Sequence, residues 1–485
     1  MPLVLLIGLI LRIILALGII CQILRSEKEP DVQLFWLVFI ALLPVIGLII
    51  YCLCGINYRR EVVRERLHGR TLRLFAEQMP EEMGKALFPE DALSKVEEDF
   101  RPLVRLLRAC GDGHRLYEGN SLEIITAGQR KRELLLEDIR NAKQFIHIEY
   151  FRFGNDKAGR EVRDALLQKV KEGVEVRFLN NNMIGRNIPR SYFRKMKKGG
   201  IDVLPYTHIR NGARSFLMRI NCQNHRKIVV IDGKVAYTGG MNLNDNYFYK
   251  WRDTHLRVEG PVVARLQASF MDSWLSSGGR LSHPLPAYFP LPAPVGWDAP
   301  LKDKCMQVVT DAPEYPFPTT LLGYEWILQH ARSYVYIHTP YFVPPTSFLN
   351  ALKSAALRGI DVRLMLPERV DTPLIGPANR SFYAECLAAG VRIFECEGAF
   401  VHSKTLVCDD YLCIIGATNL DMRSFFTNSE VNAFIYDRES AGLCKEKFLG
   451  DLANTREWTL ETWKNSRKWY QEMCSHFMRL FHRLL

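Results

Sequence analysis

The sequence predicts an α/β protein of two tandem units related by a pseudo-two-fold repeat, with an apolar helical hairpin ahead of them. Three observations lead there. Two apolar stretches open the chain, a β–α–β rhythm starts near Ser121, and the same rhythm and the same polar motif return about 180 residues later.

The first apolar stretch, Leu3 to Leu24, is interrupted by Arg12 and Gln22, and the second, Phe35 to Cys54, carries no charge. Each has about 20 residues, enough to cross roughly 30 Å of hydrocarbon as a helix. We therefore expect a membrane hairpin over residues 1–56, with spans at about 3–24 and 35–54. Arg59, Arg60, Arg64, Arg66 and Arg70 follow the second stretch, whereas the intervening loop has only Arg25 and Lys28 beside three acids. This asymmetry places the bulk of the chain in the cytoplasm and the loop outside. Arg12 leaves two dispositions open for the first stretch, spanning or lying in the interface.

Residues 57–115 read as a polar, helix-forming linker. A first α/β unit is expected over 116–275 and a second over 301–450. Between them, 276–300 holds six prolines and three glycines, a composition poor for helix or strand. Within the units, Gln144–Phe151 and Val174–Leu179 read as strands around a helix at Gly159–Glu172, which predicts a largely parallel sheet covered by helices. The repeat is visible residue by residue: Asn141–Ile148 answers His330–Ile337, Gly173–Phe178 answers Gly359–Leu364, and Gly200–Val203 answers Gly390–Ile393. The tail, 451–485, reads as an amphipathic helix that fits a membrane interface and a protein core equally well.

The polar motif is His225-x-Lys227, Asp232, Gly239 and Asn242 in the first unit, and His402-x-Lys404, Asp409, Gly416 and Asn419 in the second, with identical spacing. An acid lies eleven positions past each asparagine, Asp253 and Glu430. On a strand, residues two apart share a face, so each histidine projects beside its lysine. Two imidazoles and two lysines suit phosphodiester chemistry. A neutral imidazole can attack phosphorus, ammonium groups hold the non-bridging oxygens, and a charged imidazole protonates the leaving alkoxide. The residues alone do not decide which histidine attacks.

These motifs resemble the paired HKD motifs of the phospholipase D superfamily, and nearly the whole chain is similar to its bacterial cardiolipin synthases. Trp36–Gly47, Trp251–Pro261 and Thr339–Pro344 add to the likeness. The resemblance implies two tandem phospholipase D-like α/β/α sandwich domains after a transmembrane hairpin. It implies His225 as nucleophile, His402 as general acid and later base, and Lys227, Lys404, Asn242 and Asn419 on the phosphoryl group. Asp253 and Glu430 would orient the histidines, and Asp232 and Asp409, though motif members, are implied to be more structural. Gly240 and Ala417 depart from relatives that carry serine there.

The implied reaction joins two phosphatidylglycerol molecules into cardiolipin and glycerol at the bacterial cytoplasmic membrane, with no cofactor and no metal. A hydrolytic phospholipase D, or a transferase using another headgroup lipid, fits the same motif. A nuclease fits it less well because of the hairpin, and intact motifs speak against an inactive scaffold. Net charge is +11, which suits anionic membrane lipid but does not by itself exclude nucleic acid. The twelve cysteines form no metal-type spacing and read as reduced, buried thiols. Oligomeric state has no signature in the sequence.

Overall fold

The structure, a computed structural model, describes residues 17–25, 30–51, 79–87, 92–111, 113–181, 188–206, 222–291, 297–313 and 315–481. Most of the expected first span and much of the 57–115 linker, with Arg12, Cys52 and Cys54, lie outside the described residues.

The first half contributes β1 (Leu116–Ile125), β2 (Phe145–Tyr150), β3 (Glu175–Asn180), β4 (Asp202–Pro205), β5 (Lys227–Ile231), β6 (Val235–Gly239) and β7 (His255–Glu259). They stand in the order β1-β7-β6-β5-β2-β3-β4. The second half contributes β8 (Leu301–Asp311), β9 (Tyr334–His338), β10 (Phe342–Val343), β11 (Asp361–Pro367), β12 (Arg392–Cys396), β13 (Thr405–Cys408), β14 (Leu412–Gly416), β15 (Leu420–Asp421), β16 (Glu430–Tyr436) and β17 (Thr455–Trp458). Its order, β8-β16-β14-β13-β9-β11-β12, repeats the first, with β17 added at the outer edge and β10 pairing β15 separately. β1 and β8 pair antiparallel at the seam, so the halves share one 15-stranded sheet.

The parallel expectation holds for only part of this sheet. Of its fourteen neighbouring pairs, four are parallel: β2 with β3, β3 with β4, β9 with β11, and β11 with β12. The other ten are antiparallel, and two of them arise because each motif strand turns back at once instead of crossing over through a helix. Asp232 (φ 52°) and Gly233 (φ 64°) form the left-handed pair that a tight hairpin between β5 and β6 demands, and Asp409 and Asp410 do the same between β13 and β14. β5 and β13 are buried throughout, which explains their unbroken apolar runs.

One hydrophobic cluster crosses the seam, uniting Leu122, Val258 and Trp274 of the first half with Val308, Val431 and Phe448 of the second. Part of the expected polar linker belongs to the core: the helix Arg101–Cys110 inserts Leu103, Val104 and Leu107 into the second half. Each such side chain contributes roughly 2 kcal/mol by leaving water. In the Pro-rich segment, Leu285 and Tyr288 are likewise buried. The tail is more divided than a single helix. Thr455–Trp458 pairs antiparallel with β12, and helices Leu460–Ser466 and Trp469–Leu480 follow.

The N-terminal apolar region also departs from a simple rod. Helix Pro30–Leu42 ends at Leu43 (φ −129°, ψ 72°), and a second helix, Pro44–Ile50, starts immediately. The two fold back on each other. The Trp36 and Tyr51 rings lie 5.2 Å apart, whereas positions 15 residues apart on one straight helix would be about 22 Å apart. Gly47 makes the close approach possible, since a Cβ there would lie 2.9 Å from the Phe39 carbonyl oxygen. No helix among the described residues is long and apolar enough to cross a membrane.

Candidate active site

The motif histidines stand just before β5 and β13, and each half clasps the other there. His225 N–H donates to the Ser429 carbonyl (2.8 Å), and Ser429 N–H to the Gln223 carbonyl (2.8 Å). Symmetrically, His402 N–H donates to the Arg252 carbonyl (2.7 Å), and Arg252 N–H to the Phe400 carbonyl (3.1 Å). These bonds seat both histidines, both lysines and both acids in one buried site at the seam.

The acids reach across. His225 Nδ1 lies 3.0 Å from both carboxylate oxygens of Glu430, and His402 Nδ1 lies 2.8 Å from Asp253 Oδ2. Each acid thus serves the histidine of the other half, not the one whose motif precedes it in sequence. With Nδ1–H donating to the acid, Nε2 of each ring is the nitrogen that the acid leaves unengaged. Lys227 Nζ donates to the His225 carbonyl (2.7 Å), while Lys404 Nζ donates to the His402 carbonyl and lies 3.1 Å from His402 Nε2. Gly240 allows the Asp253 approach, because a Cβ there would lie 2.1 Å from Asp253 Oδ1.

The asparagines flank the site. Asn242 donates to the Tyr247 hydroxyl (2.8 Å) and accepts from Arg152 N–H (3.1 Å). Asn419 donates to Ser424 Oγ (3.4 Å), and its Oδ1 has no partner among the described residues. Asp232 and Asp409 are not brought to the histidines. They stand at the far ends of β5 and β13, where Asp232 accepts from the N–H groups of Lys143, Gln144 and Phe145 (2.7–2.9 Å). Asp409 accepts from those of Arg332, Ser333 and Tyr334 (2.8–3.0 Å). Both anchor the start of the neighbouring strand, β2 or β9.

Electrostatics separate the two imidazoles. Burial, then Lys227 and Lys404, holds His225 well below the usual histidine range. Burial and Lys404 also depress His402, to about 3, but Asp253 opposes them. Burial pushes Asp253 upward, yet Lys404 and His402 outweigh it, so this carboxyl stays ionised. At Glu430 burial wins, raising it to about 7 against Lys227, Ser424, Lys404 and Arg226. Burial likewise lowers Lys227 to about 7 and Lys404 to about 8. A bound anion would restore the lysines' charge. Among the described residues no group of three or more His, Cys, Asp or Glu is placed to hold a metal ion.

Several site residues escape motif reading. Phe151 packs edge-on against His225 (ring centroids 4.7 Å), and Tyr247 and Trp251 contact His402 (5.1 and 5.5 Å). The Tyr247 hydroxyl lies 3.5 Å from His402 Nε2. Arg152, half-exposed, lies 3.7 Å from Asp371 and adds positive potential at His225. One signal was available: Trp251 lies two residues before Asp253, the spacing that puts extended-chain side chains on one face.

Residues 135–274 and 326–452 match the family described as cardiolipin synthase, PLD-like domain. The chain is 34% identical over 472 residues to the major cardiolipin synthase ClsA of Bacillus subtilis (strain 168), covering 95% of this chain and 94% of that one. It is 34% identical over 474 residues to cardiolipin synthase 1 of Staphylococcus aureus (strain COL), covering 95% and 93%. Among solved structures, phosphatidylserine synthase of Haemophilus influenzae Rd KW20 superposes with a TM-score of 0.58 at 14% identity, over 81% of this chain and 100% of that one. At that identity the likeness concerns the fold.

Proposed function

The chain belongs to the cardiolipin synthase family of phospholipase D-like enzymes and is a phosphatidyltransferase, and from that premise we propose that it converts two phosphatidylglycerol molecules into cardiolipin and glycerol through a phosphatidyl group held on His225. The crossed pairing of histidines and acids is the observation that carries this reading. Glu430, raised to about 7, gives His225 a weakly charged partner, which suits a neutral nucleophile. Asp253, held ionised, gives His402 a full negative charge, which favours the imidazolium needed in a general acid.

In the first step His225 Nε2 attacks phosphorus of the donor lipid. The P–O bond to the headgroup glycerol breaks, and His402 Nε2–H protonates the departing oxygen. In the second, a headgroup hydroxyl of another phosphatidylglycerol attacks the phosphohistidine, gives its proton to His402, and releases His225. One phosphodiester replaces another, so no activated nucleotide is consumed. Lys227, Lys404, Asn242 and Asn419 hold the phosphoryl oxygens. The arriving phosphodiester adds negative charge beside Lys404 and raises the proton affinity of His402. Asp232 and Asp409 support the strands and do not touch the reacting atoms.

The substrate and its anionic surroundings place the enzyme at the bacterial cytoplasmic membrane, with the catalytic sheet on the cytoplasmic side. Hydropathy alone favours anchorage by two spans. Anchoring concentrates the lipid alcohol against water as acceptor, since both lipids share the surface with the site. The test is a product assay on purified full-length enzyme in phosphatidylglycerol vesicles with chelator present. Cardiolipin and glycerol should appear in equal amounts and fall by at least about 10³-fold in His225→Ala. Peptide mass spectrometry after rapid quench should find the phosphatidyl group on His225. Phosphatidic acid as the main product would overturn the synthase reading.

A further inference from the structure

The fold-back at Leu43–Pro44 changes what the second apolar stretch can do in a bilayer. Its first arm, Pro30–Leu42, is 13 residues or about 20 Å long, and its second, Pro44–Ile50, is 7 residues or about 10 Å. The first arm is too short to cross roughly 30 Å of hydrocarbon, and the second runs back along it. The turn is the most exposed and most apolar part of the hairpin: Leu42 is 74% exposed and Val45 71%, with Leu43 and Ile46 also in the open. A hairpin built for water would put polar residues at that corner. Pro44, which lacks an N–H, leaves one donor fewer to satisfy there. The open end is held together by the cluster of Ile23, Val32, Trp36 and Tyr51, so the 17–25 helix packs beside it.

A second apolar surface adjoins the first. Helix Trp469–Leu480 turns Trp469 (77% exposed), Met473, Phe477 and Leu480 outward along one stripe, while Ser475 and Met478 face the protein. Phe481, just beyond it, meets Phe35 and Phe39 of the hairpin at 6.3 and 6.5 Å. The same helix packs on Ile375–Arg380. There Asn379 accepts from Phe342 N–H (2.8 Å) and donates to the Pro340 carbonyl (3.2 Å), and the neighbouring Tyr341 hydroxyl donates to Asp371, the partner of Arg152 beside the site. These contacts link the Trp469–Leu480 helix to the Arg152 side of the catalytic site.

We propose that residues 30–51 form a re-entrant hairpin that enters and leaves one leaflet from the cytoplasmic side, and that it and the Trp469–Leu480 helix form a single seat on the lipid surface. The occupant is a phospholipid leaflet: acyl chains meet the hairpin tip, and the amphipathic helix lies at the headgroup boundary, where the exposed Trp469, Tyr470 and Lys468 suit the polar level. The residues just ahead of Pro30 then lie on the same side as the catalytic sheet, not outside. This topology stands whichever headgroup the enzyme transfers.

The test uses the full-length chain in bacterial membranes, with one epitope inserted after Arg25 and a reference epitope in the exposed loop at Asp298. In inverted vesicles a protease should remove both epitopes, and in right-side-out vesicles neither. Loss of the Arg25 epitope alone from right-side-out vesicles would overturn the proposal and establish a spanning second stretch. The chain with residues 1–16 deleted, which keeps Ile23 in the cluster, should remain in the membrane after alkaline carbonate extraction. Release of that chain as an oligomer would overturn the lipid seat in favour of a second copy covering the surface. The deletion's cardiolipin synthesis in detergent micelles, unchanged within about threefold, serves as the check that it has folded; loss of that activity would itself overturn the proposal, because the seat would then depend on residues 1–16.

Discussion

Asp253→Asn keeps the shape of a fully buried side chain and removes its charge 2.8 Å from His402 Nδ1. Thr254 N–H donates to Asp253 Oδ1 at 2.6 Å, and that bond fixes which way the asparagine amide points. Its oxygen stays on Thr254, its NH₂ faces His402 Nδ1, and the ring proton is driven to Nε2. On the proposed mechanism His402 then loses both its imidazolium stabilisation and its role as base in the second step. A unit charge at about 4 Å and an effective dielectric near 20 is worth about 4 kcal/mol, or about 10³ in rate. The wrong tautomer pushes the loss toward about 10⁴. Glu430→Gln differs in a way that pH reveals. Glu430 titrates near 7, so below that pH the wild-type side chain is already largely neutral and glutamine changes little. Above it the wild type gains a charge that glutamine cannot supply, and the penalty grows. Initial rates of cardiolipin formation in phosphatidylglycerol vesicles from pH 5.5 to 8.5 should show an Asp253→Asn loss that is flat with pH. The Glu430→Gln loss should be within about tenfold at pH 6 and rise toward pH 8. Equal losses at pH 6, or an Asp253→Asn enzyme within tenfold of wild type, would refute the division of labour between the two acids.

Other substitutions probe the remaining roles. Asp232→Ala removes an acceptor of three N–H bonds and a side chain that tolerates φ 52°, so urea unfolding should show a loss of about 2–3 kcal/mol while kcat of the folded enzyme stays within about threefold. Tyr247→Phe removes the hydroxyl between Asn242 and His402 Nε2 and should lower kcat about three- to tenfold with little change in melting temperature. The pair Met473→Glu and Phe477→Glu puts two charges on the outward stripe of the Trp469–Leu480 helix; turnover on vesicles should fall at least about tenfold, whereas turnover on short-chain, monomeric phosphatidylglycerol should hold.

Much of the site could be read from the chain because it obeys short-range rules. Extended chain leading into a strand puts His225 beside Lys227 and His402 beside Lys404, and the repeated spacing marks the two segments as equivalent. What the residues could not convey is long-range. Asp253 and Glu430 were recognisable as partners of the histidines, but the exchange between halves depends on the β1–β8 seam and the clasp at Ser429 and Arg252. The sheet reads as largely parallel from its β–α–β segments; Asp232-Gly233 and Asp409-Asp410 read as turns after the motif strands, but that each turn closes an antiparallel hairpin is seen in the pairing and the positive φ values. Hydropathy counts apolar residues without giving their direction, so 35–54 looked like one rod; Pro44 was the sole local hint of a corner. β17 is four residues long with two charges, and only pairing to β12 makes it a strand.

The clasp at the seam has a consequence for inheritance. Because each histidine draws its proton partner from the opposite copy, neither copy can lose its acid without disabling its sibling, and neither could work as a solitary unit. The seam has the logic of a dimer whose subunits have been fused end to end. Fusion removes concentration from the assembly problem and frees the copies to diverge, which is visible in an aspartate on one side and a glutamate on the other. Two polypeptides cut within the Pro-rich segment should then regain activity only on being mixed, and a lesion at Glu430 should be rescued by an intact second half supplied to an intact first.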